Sequence, residues 1–263
     1  MTRSLFRAFE RFRVDYLLLG GQASIAYGAA TFSEDIDVWV RPDPLNAQRL
    51  LQALAALRAR VYKLTPPLTT GLLKAGHGFH FVIPARPLSI YLDAMGRPPR
   101  AAGFSTARRR AVIMPTGMGK LPVVSIEDLV ALKKTRRLSD YEVISNLVRV
   151  RLAAELEPSR RLLEWAARHS FRAEDRRDFL VRLGESPSLS RCRKQIATEI
   201  TAHQTRDTAY WRKRIADLRR LRRKGLLLPE GLPVAEILRG RVVGTARPGP
   251  CVKAAAARAK WRR

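Results

Sequence analysis

Asp35 and Asp37 stand one residue apart at the head of the apolar run "DIDVWV", and Asp93 lies inside a later apolar run, "LSIYLDAM". Side chains alternate faces along a strand, so Asp35 and Asp37 share one face while Ile36, Val38 and Val40 line the other. The apolar set packs inward and leaves two carboxylates side by side. Like charges that close repel, and a cation between them removes the repulsion. A hard divalent ion such as Mg2+ takes carboxylate oxygens and keeps room for substrate phosphates. A lone Asp-x-Asp is more often an exposed pair answered by nearby Arg side chains. Asp93 in its apolar strand is either a satisfied buried acid or the third corner of a metal site. Glu34, the remaining acid beside the pair, falls on the opposite face if the strand is regular.

The elements that must position these groups alternate through the first half of the chain. Residues 2–12 read as a helix, and "VDYLLLG" as a short buried strand. "GQASIAYGA" reads as a helix entered through Gly20-Gly21. Glycines at such a turn let backbone N–H groups approach a phosphate, and the helix N-terminus adds partial positive charge. "DIDVWV" is the next strand. Asp43 and Pro44 then start a helix that runs to about Ala59. Further strands are predicted at "FHFVI", "LSIYLDAM", "AVIM" and "KLPVVS". Ser125, with Asp128 three residues later, opens another helix at capping-box spacing. From about Asp140 the strand signals stop and helices follow, the longest being "RCRKQIATEITAHQTRDTAYWRKRIADLRRLRRKG".

The run "LLLGGQASIAYGAATFSEDIDVWV" resembles the first motif of the DNA-polymerase-β-type nucleotidyltransferase superfamily: strand, Gly-Gly, helix, Gly, then Asp-x-Asp on the next strand. The downstream "SIEDLVALKKTRRLSDYEVISNLVR" resembles the helical segment after the core in AbiEii-like nucleotidyltransferases. Together these cover residues 14–150. The resemblance implies an α+β fold. It places a nucleotidyltransferase domain, a mixed sheet flanked by helices, over residues 1–140; the residues beyond read by their own pattern as an all-helical basic domain over 141–240 and a basic, disordered tail over 241–263. The resemblance implies Mg2+ or Mn2+ held by Asp35, Asp37 and Asp93, with an NTP as substrate and Asp93 helping to deprotonate an acceptor hydroxyl. Nucleotide contacts would fall to Gly20, Gly21, Ser33, Lys133 or Lys134, Arg137 and Asp140. For the helix group of Lys133 or Lys134, Arg137 and Asp140, a solvated basic helix face is an equal alternative. Thr31 stands where relatives often carry Arg, and Glu34 where they often carry Gly or Lys. The first departure bears on substrate orientation and the second adds negative charge. Neither removes a metal ligand.

With 50 Lys and Arg against 23 Asp and Glu, the 263-residue chain has a formal net charge of +27. Such a surface attracts a polyanion, although a genome-wide Arg bias also produces it. In the long helix Arg212, Lys213, Arg219, Arg220 and Arg223 flank Tyr210 and Trp211, which makes it a candidate nucleic-acid-binding element. Ile215, Leu218 and Leu221 give it an apolar face to pack. The expected partner is RNA, a tRNA 3′ end among the candidates, and the AbiEii resemblance adds a toxin role with a cognate antitoxin. Nucleotidyl transfer to a small molecule or protein, and a non-catalytic nucleic-acid-binding role, stay open. No run of about 18 apolar residues occurs, so no membrane partner is expected and the protein is expected in the cytoplasm. "PTGMGK" lacks phosphate-loop spacing and reads as a hairpin turn. His77 and His80 lack the partners of a zinc site, and Cys192 and Cys251 suggest neither a disulfide nor a metal knuckle.

Overall fold

The computed structural model describes residues 2–240. Helix α1 (Thr2–Arg11) buries Leu5, Phe6, Ala8 and Phe9, and leads into β1 (Tyr16–Leu19), buried along its whole length. Helix α2 (Gly20–Ala26) and strand β2 (Asp35–Val40) follow. Asp43 caps α3 (Pro44–Ala56) by accepting the Asn46 N–H, with Pro44 in the first turn. This helix stops short of Ala59. Arg58 takes a left-handed conformation, φ 54°, and turns the chain into the short strand β3 (Arg60–Val61).

Next come α4 (Thr70–Lys74), β4 (Gly78–Ile83), β5 (Ile90–Met95) and α5 (Phe104–Arg110). The hairpin β6 (Val112–Thr116) and β7 (Gly119–Val123) contains "PTGMGK" at its turn, as predicted. Ser125 caps α6 (Ile126–Leu132) by accepting the Asp128 N–H. The Asp128 carboxylate is bound instead by Arg110 and the Ser125 hydroxyl. Helices α7 (Ser139–Ala153), α8 (Arg160–His169), α9 (Ala173–Arg182), α10 (Leu189–Arg223) and α11 (Val234–Leu238) complete the described chain.

The seven strands form one mixed sheet in the order β3-β4-β5-β2-β1-β7-β6. β2 lies between β1, antiparallel, and β5, parallel, so the two acidic strands are neighbours at the centre. The apolar sides of β2, β4 and β5 join a core that continues into α7, α8 and α9 through residues such as Ile144, Leu147, Leu163 and Phe179.

Two features depart from the sequence-based expectation. The chain after α10 returns to the sheet edge: Leu228 N–H donates to Thr65, and Gly231 and Val234 N–H donate to Val61 and Ala59. Strand-like pairing therefore does not end at Asp140. Also, the apolar set on α10 does not seal a core. Ile215 is 47% exposed. The buried residues of α10 are Cys192, Ile196 and Asp207, so its burial stops near the middle of the helix. No described helix is long and apolar enough to cross a membrane. The basic tail over 241–263, with Cys251, lies outside the described residues.

Candidate active site

The register of three adjacent strands assembles the acidic face. His80 on β4 pairs with Asp93 on β5, and Asp93 pairs with Asp37 on β2; one row along, Val82, Tyr91 and Asp35 are aligned in the same way. Residues opposite one another in neighbouring strands point to the same side. Asp35, Asp37 and Asp93 therefore share one side of the sheet, and each is half-buried, while the intervening Ile36 and Leu92 are buried on the other. Trp39 continues the Asp35–Asp37 side but is buried against Phe104, with its indole N–H donating to the Gly96 carbonyl at 3.0 Å. It closes the acidic face at that end.

The Gly-Gly turn is needed for space. Gly20 has φ +70°, a left-handed conformation, and a Cβ there would lie 2.6 Å from the Asp37 Cγ. At Gly21 a Cβ would lie 2.6 Å from the Ser33 Cβ. Glycine was expected here for phosphate approach. The turn has a nearer reason: it lets the Asp37 carboxylate and the Ser33 side chain lie directly against the β1–α2 backbone. Ser33 in turn donates its hydroxyl to the Asp35 carbonyl at 3.1 Å, and Gln22 donates to the Ser33 carbonyl at 3.1 Å, fixing the approach to β2.

The carboxylates feel one another. Burial pushes the Asp37 carboxyl up to about 6, and the negative charges of Asp93 and Asp35 add to this while Lys133 and Arg137 oppose it. Asp35 is also raised, by burial first and then by Asp93 and Glu34, with Lys63 and His80 working against the shift. The lysine and arginine charges that act on the acidic pair are thus those of Lys63, Lys133 and Arg137. Thr31 is exposed on the preceding loop.

Of the two candidate lysines, Lys133 is the one whose charge acts on Asp37. Its ammonium donates to Asp140 at 3.0 Å, and both side chains are less than a tenth exposed. Asp140 also accepts from the Thr135 hydroxyl at 2.5 Å and from Arg137 Nε at 2.9 Å. Burial pushes its carboxyl up, but Lys133, Thr135 and Arg137 together outweigh that and hold it below its ordinary value. Lys134 turns away from the acidic face. It donates to His169 Nδ1 at 3.1 Å, and burial lowers its ammonium below the usual lysine range.

Among the described residues no group of three or more His, Cys, Asp and Glu is placed so that it could hold a metal ion as the chain stands. The donor chemistry of Asp35, Asp37 and Asp93 nevertheless fits a hard divalent cation. All three offer carboxylate oxygens, and the repulsion that raises Asp35 and Asp37 is what such a cation would relieve.

The arginines proposed for nucleic acid divide. Arg212, Lys213, Arg219, Arg220 and Arg223 are all exposed on α10, but Arg220 is paired with Asp217. Tyr210 is half-buried and donates its hydroxyl to the Gly76 carbonyl at 3.1 Å, so it is tied to the sheet domain.

Sequence reasoning missed His80, whose Nδ1 lies 2.7 Å from Asp93 Oδ1. The alternation in "GFHFVI" carried the signal, because it sets His80 opposite the buried Phe79 and Phe81. Tyr62 and Tyr91 were missed as well. Their rings lie 4.8 Å apart beside Asp35, with the Lys63 ammonium 4.8 Å from the Tyr62 ring.

No protein-family model matches the sequence, and no curated protein matches it. Among solved structures, an H. pylori protein assigned as a nucleotidyltransferase is similar at TM-score 0.41 and 12% identity, over 79% of this chain and 95% of that one. ANT(2″)-Ia, solved in complex with adenylyl-2″-tobramycin, is similar at TM-score 0.36 and 15% identity, over 77% of this chain and 94% of that one. Likenesses this distant assign no activity to this chain.

Proposed function

We propose that the chain is a Mg2+-dependent nucleotidyltransferase that moves a nucleoside monophosphate from an NTP to an acceptor hydroxyl, with RNA as the favoured acceptor. The observation that carries this is the convergence of Asp35, Asp37 and Asp93 on one side of adjacent strands, with Asp37 seated against Gly20. A divalent cation held by these carboxylates would supply the positive charge that a triphosphate and the attacking and leaving oxygens require. The chain's own residues do the rest. Arg137, exposed and with its charge acting on Asp37, attracts and orients the triphosphate, while Lys133, buried against Asp140, adds its charge beside Asp37. Asp93, held by His80, takes the proton of the acceptor hydroxyl. The acceptor oxygen bonds to the α-phosphorus, the α–β anhydride bond breaks, and pyrophosphate leaves with the bonding electrons.

The preference for RNA rests on the net charge of +27. A toxin role, with an antitoxin as partner, rests on the resemblance of residues 14–150 to AbiEii-like proteins. The helical segment over 141–240 is proposed as the basic domain that holds the acceptor. The test is incubation with Mg2+, each labelled NTP in turn, and total tRNA. Label on RNA that is lost in Asp35→Ala supports the proposal. Label on protein or on a small molecule redirects the acceptor, and no label anywhere with RNA still bound leaves only a binding protein.

A further inference from the structure

Away from the carboxylates, a cleft of about 610 Å3 opens between α4, the segment that follows β5, and α10. Lys74 enters it from α4, Arg97 from the segment after β5, and Arg206 and Lys213 from α10. Residues 206, 210 and 213 are spaced to share one side of a helix, so Tyr210 lies between the two α10 cations. Lys74, Arg97, Arg206 and Lys213 are exposed and make no ion pair or hydrogen bond through their side chains among the described residues.

Two other cations line the cleft but are already engaged. Arg100 binds the buried Asp207 at 2.7 Å, and Arg214 binds Asp217 at 3.4 Å. The nearby acids are therefore spent on structural arginines, and four positive charges on facing walls remain uncompensated. Like charges gathered around one cleft repel, and an anion between them relieves this.

The cleft is also coupled to the acidic face. Arg100 donates to the carbonyls of Ala131 and Leu132 at 3.2 and 2.9 Å, directly before Lys133. Arg97 follows closely on β5, the strand that carries Asp93. A ligand along this cleft thus lies on elements that lead to the carboxylates.

We propose that this cleft binds the phosphodiester backbone of an RNA strand, through Lys74, Arg97, Arg206 and Lys213. Cations supplied by three separate elements suit a repeating line of phosphates better than one compact anion. Treating that strand as the acceptor rests on the transfer activity proposed above; its binding does not.

The test is fluorescence anisotropy with a 5′-labelled single-stranded RNA, without NTP, over a series of salt concentrations. The triple variant Lys74→Gln, Arg97→Gln, Lys213→Gln is compared with a charge-matched control on exposed arginines outside both the cleft and the helical segment, Arg7→Gln, Arg58→Gln, Arg109→Gln. The cleft variant should bind about tenfold or more weakly, with a salt slope shallower by roughly two, at about 0.7 per lost phosphate contact. The control should change less than about twofold. Equal losses in the two variants would overturn the proposal. So would equal affinity of the unaltered protein for a labelled poly-glutamate of matched charge, which would make the cleft a site for acidic protein. RNA binding that depends on the cleft, in a protein that transfers no label, keeps this inference and removes the transfer reaction.

Discussion

His80 Nδ1 lies 2.7 Å from Asp93 Oδ1, across the register pair that joins β4 to β5. The contact holds one oxygen of a carboxylate whose other oxygen is left to meet a cation or a hydroxyl proton. In the proposed reaction His80 is a positioning residue: it acts through Asp93. His80→Ala should weaken Mg2+ affinity in the proposed transfer reaction by about tenfold to a hundredfold, the cost typical of losing a partner that orients a ligand. His80→Asn, which can still offer an N–H near the Nδ1 position, should recover part of it. Mg2+ titration of the rate separates this from a structural effect, which would lower the melting temperature and leave the Mg2+ midpoint where it was.

The two glycines of the β1–α2 turn should fail for different reasons. Gly20→Ala meets both a left-handed backbone and the Asp37 carboxylate. It should destabilise by about 1–3 kcal/mol. Gly21→Ala meets only the Ser33 residue, chiefly its side chain, so Ser33→Gly should rescue it. Urea denaturation of the single and double variants reads this out, and Ser33→Gly should give no rescue when combined with Gly20→Ala.

Lys133 and Asp140 form a pair less than a tenth exposed on either side. Asp140→Ala leaves the ammonium buried without its partner, at a cost of about 3–5 kcal/mol. Arg137 is 68% exposed in its side chain, and Arg137→Ala should cost far less stability. Denaturation midpoints for the two variants test the ranking.

Acid should weaken the helical half. Burial lowers His169 and His203 to about 4 in the fold, with Lys134 adding to both shifts. Unfolded histidine binds its proton near 6.5, so between about 6.5 and 4 the unfolded chain holds more protons and stability falls as pH falls. Melting temperature against pH for the unaltered protein and for His203→Gln checks the sign. The variant should lose less stability across that window.

The shared face of Asp35 and Asp37 was legible in the sequence because strand alternation is a strict rule. "DIDVWV" put Asp35 and Asp37 on one side, and the parallel pairing of β2 with β5 brought Asp93 beside them. Partners set by pairing across strands were less legible. His80 and Tyr91 gain their places from registers that no local pattern specifies. Neither did local pattern reveal the return of residues 226–238 to the sheet edge, since its hydrogen bonds are scattered among turns and prolines. The long helix misled in another way. Ile215, Leu218 and Leu221 have the spacing of a packing face, but Ile215 stays exposed among the described residues.

The most direct measurement of the central claim is thermal melting and label transfer of Asp37→Asn, with and without Mg2+. In the fold the Asp37 carboxyl is raised to about 6, so ionising it costs stability as pH rises through the window from its ordinary value to about 6. At pH ~7.5, without metal, Asp37→Asn should therefore melt above the unaltered protein. Mg2+ should raise the melting temperature of the unaltered protein and not that of the variant, and transfer should fall by at least about a hundredfold. A variant that keeps transfer, or that responds to Mg2+ as the unaltered protein does, would contradict the assignment of these carboxylates as the site.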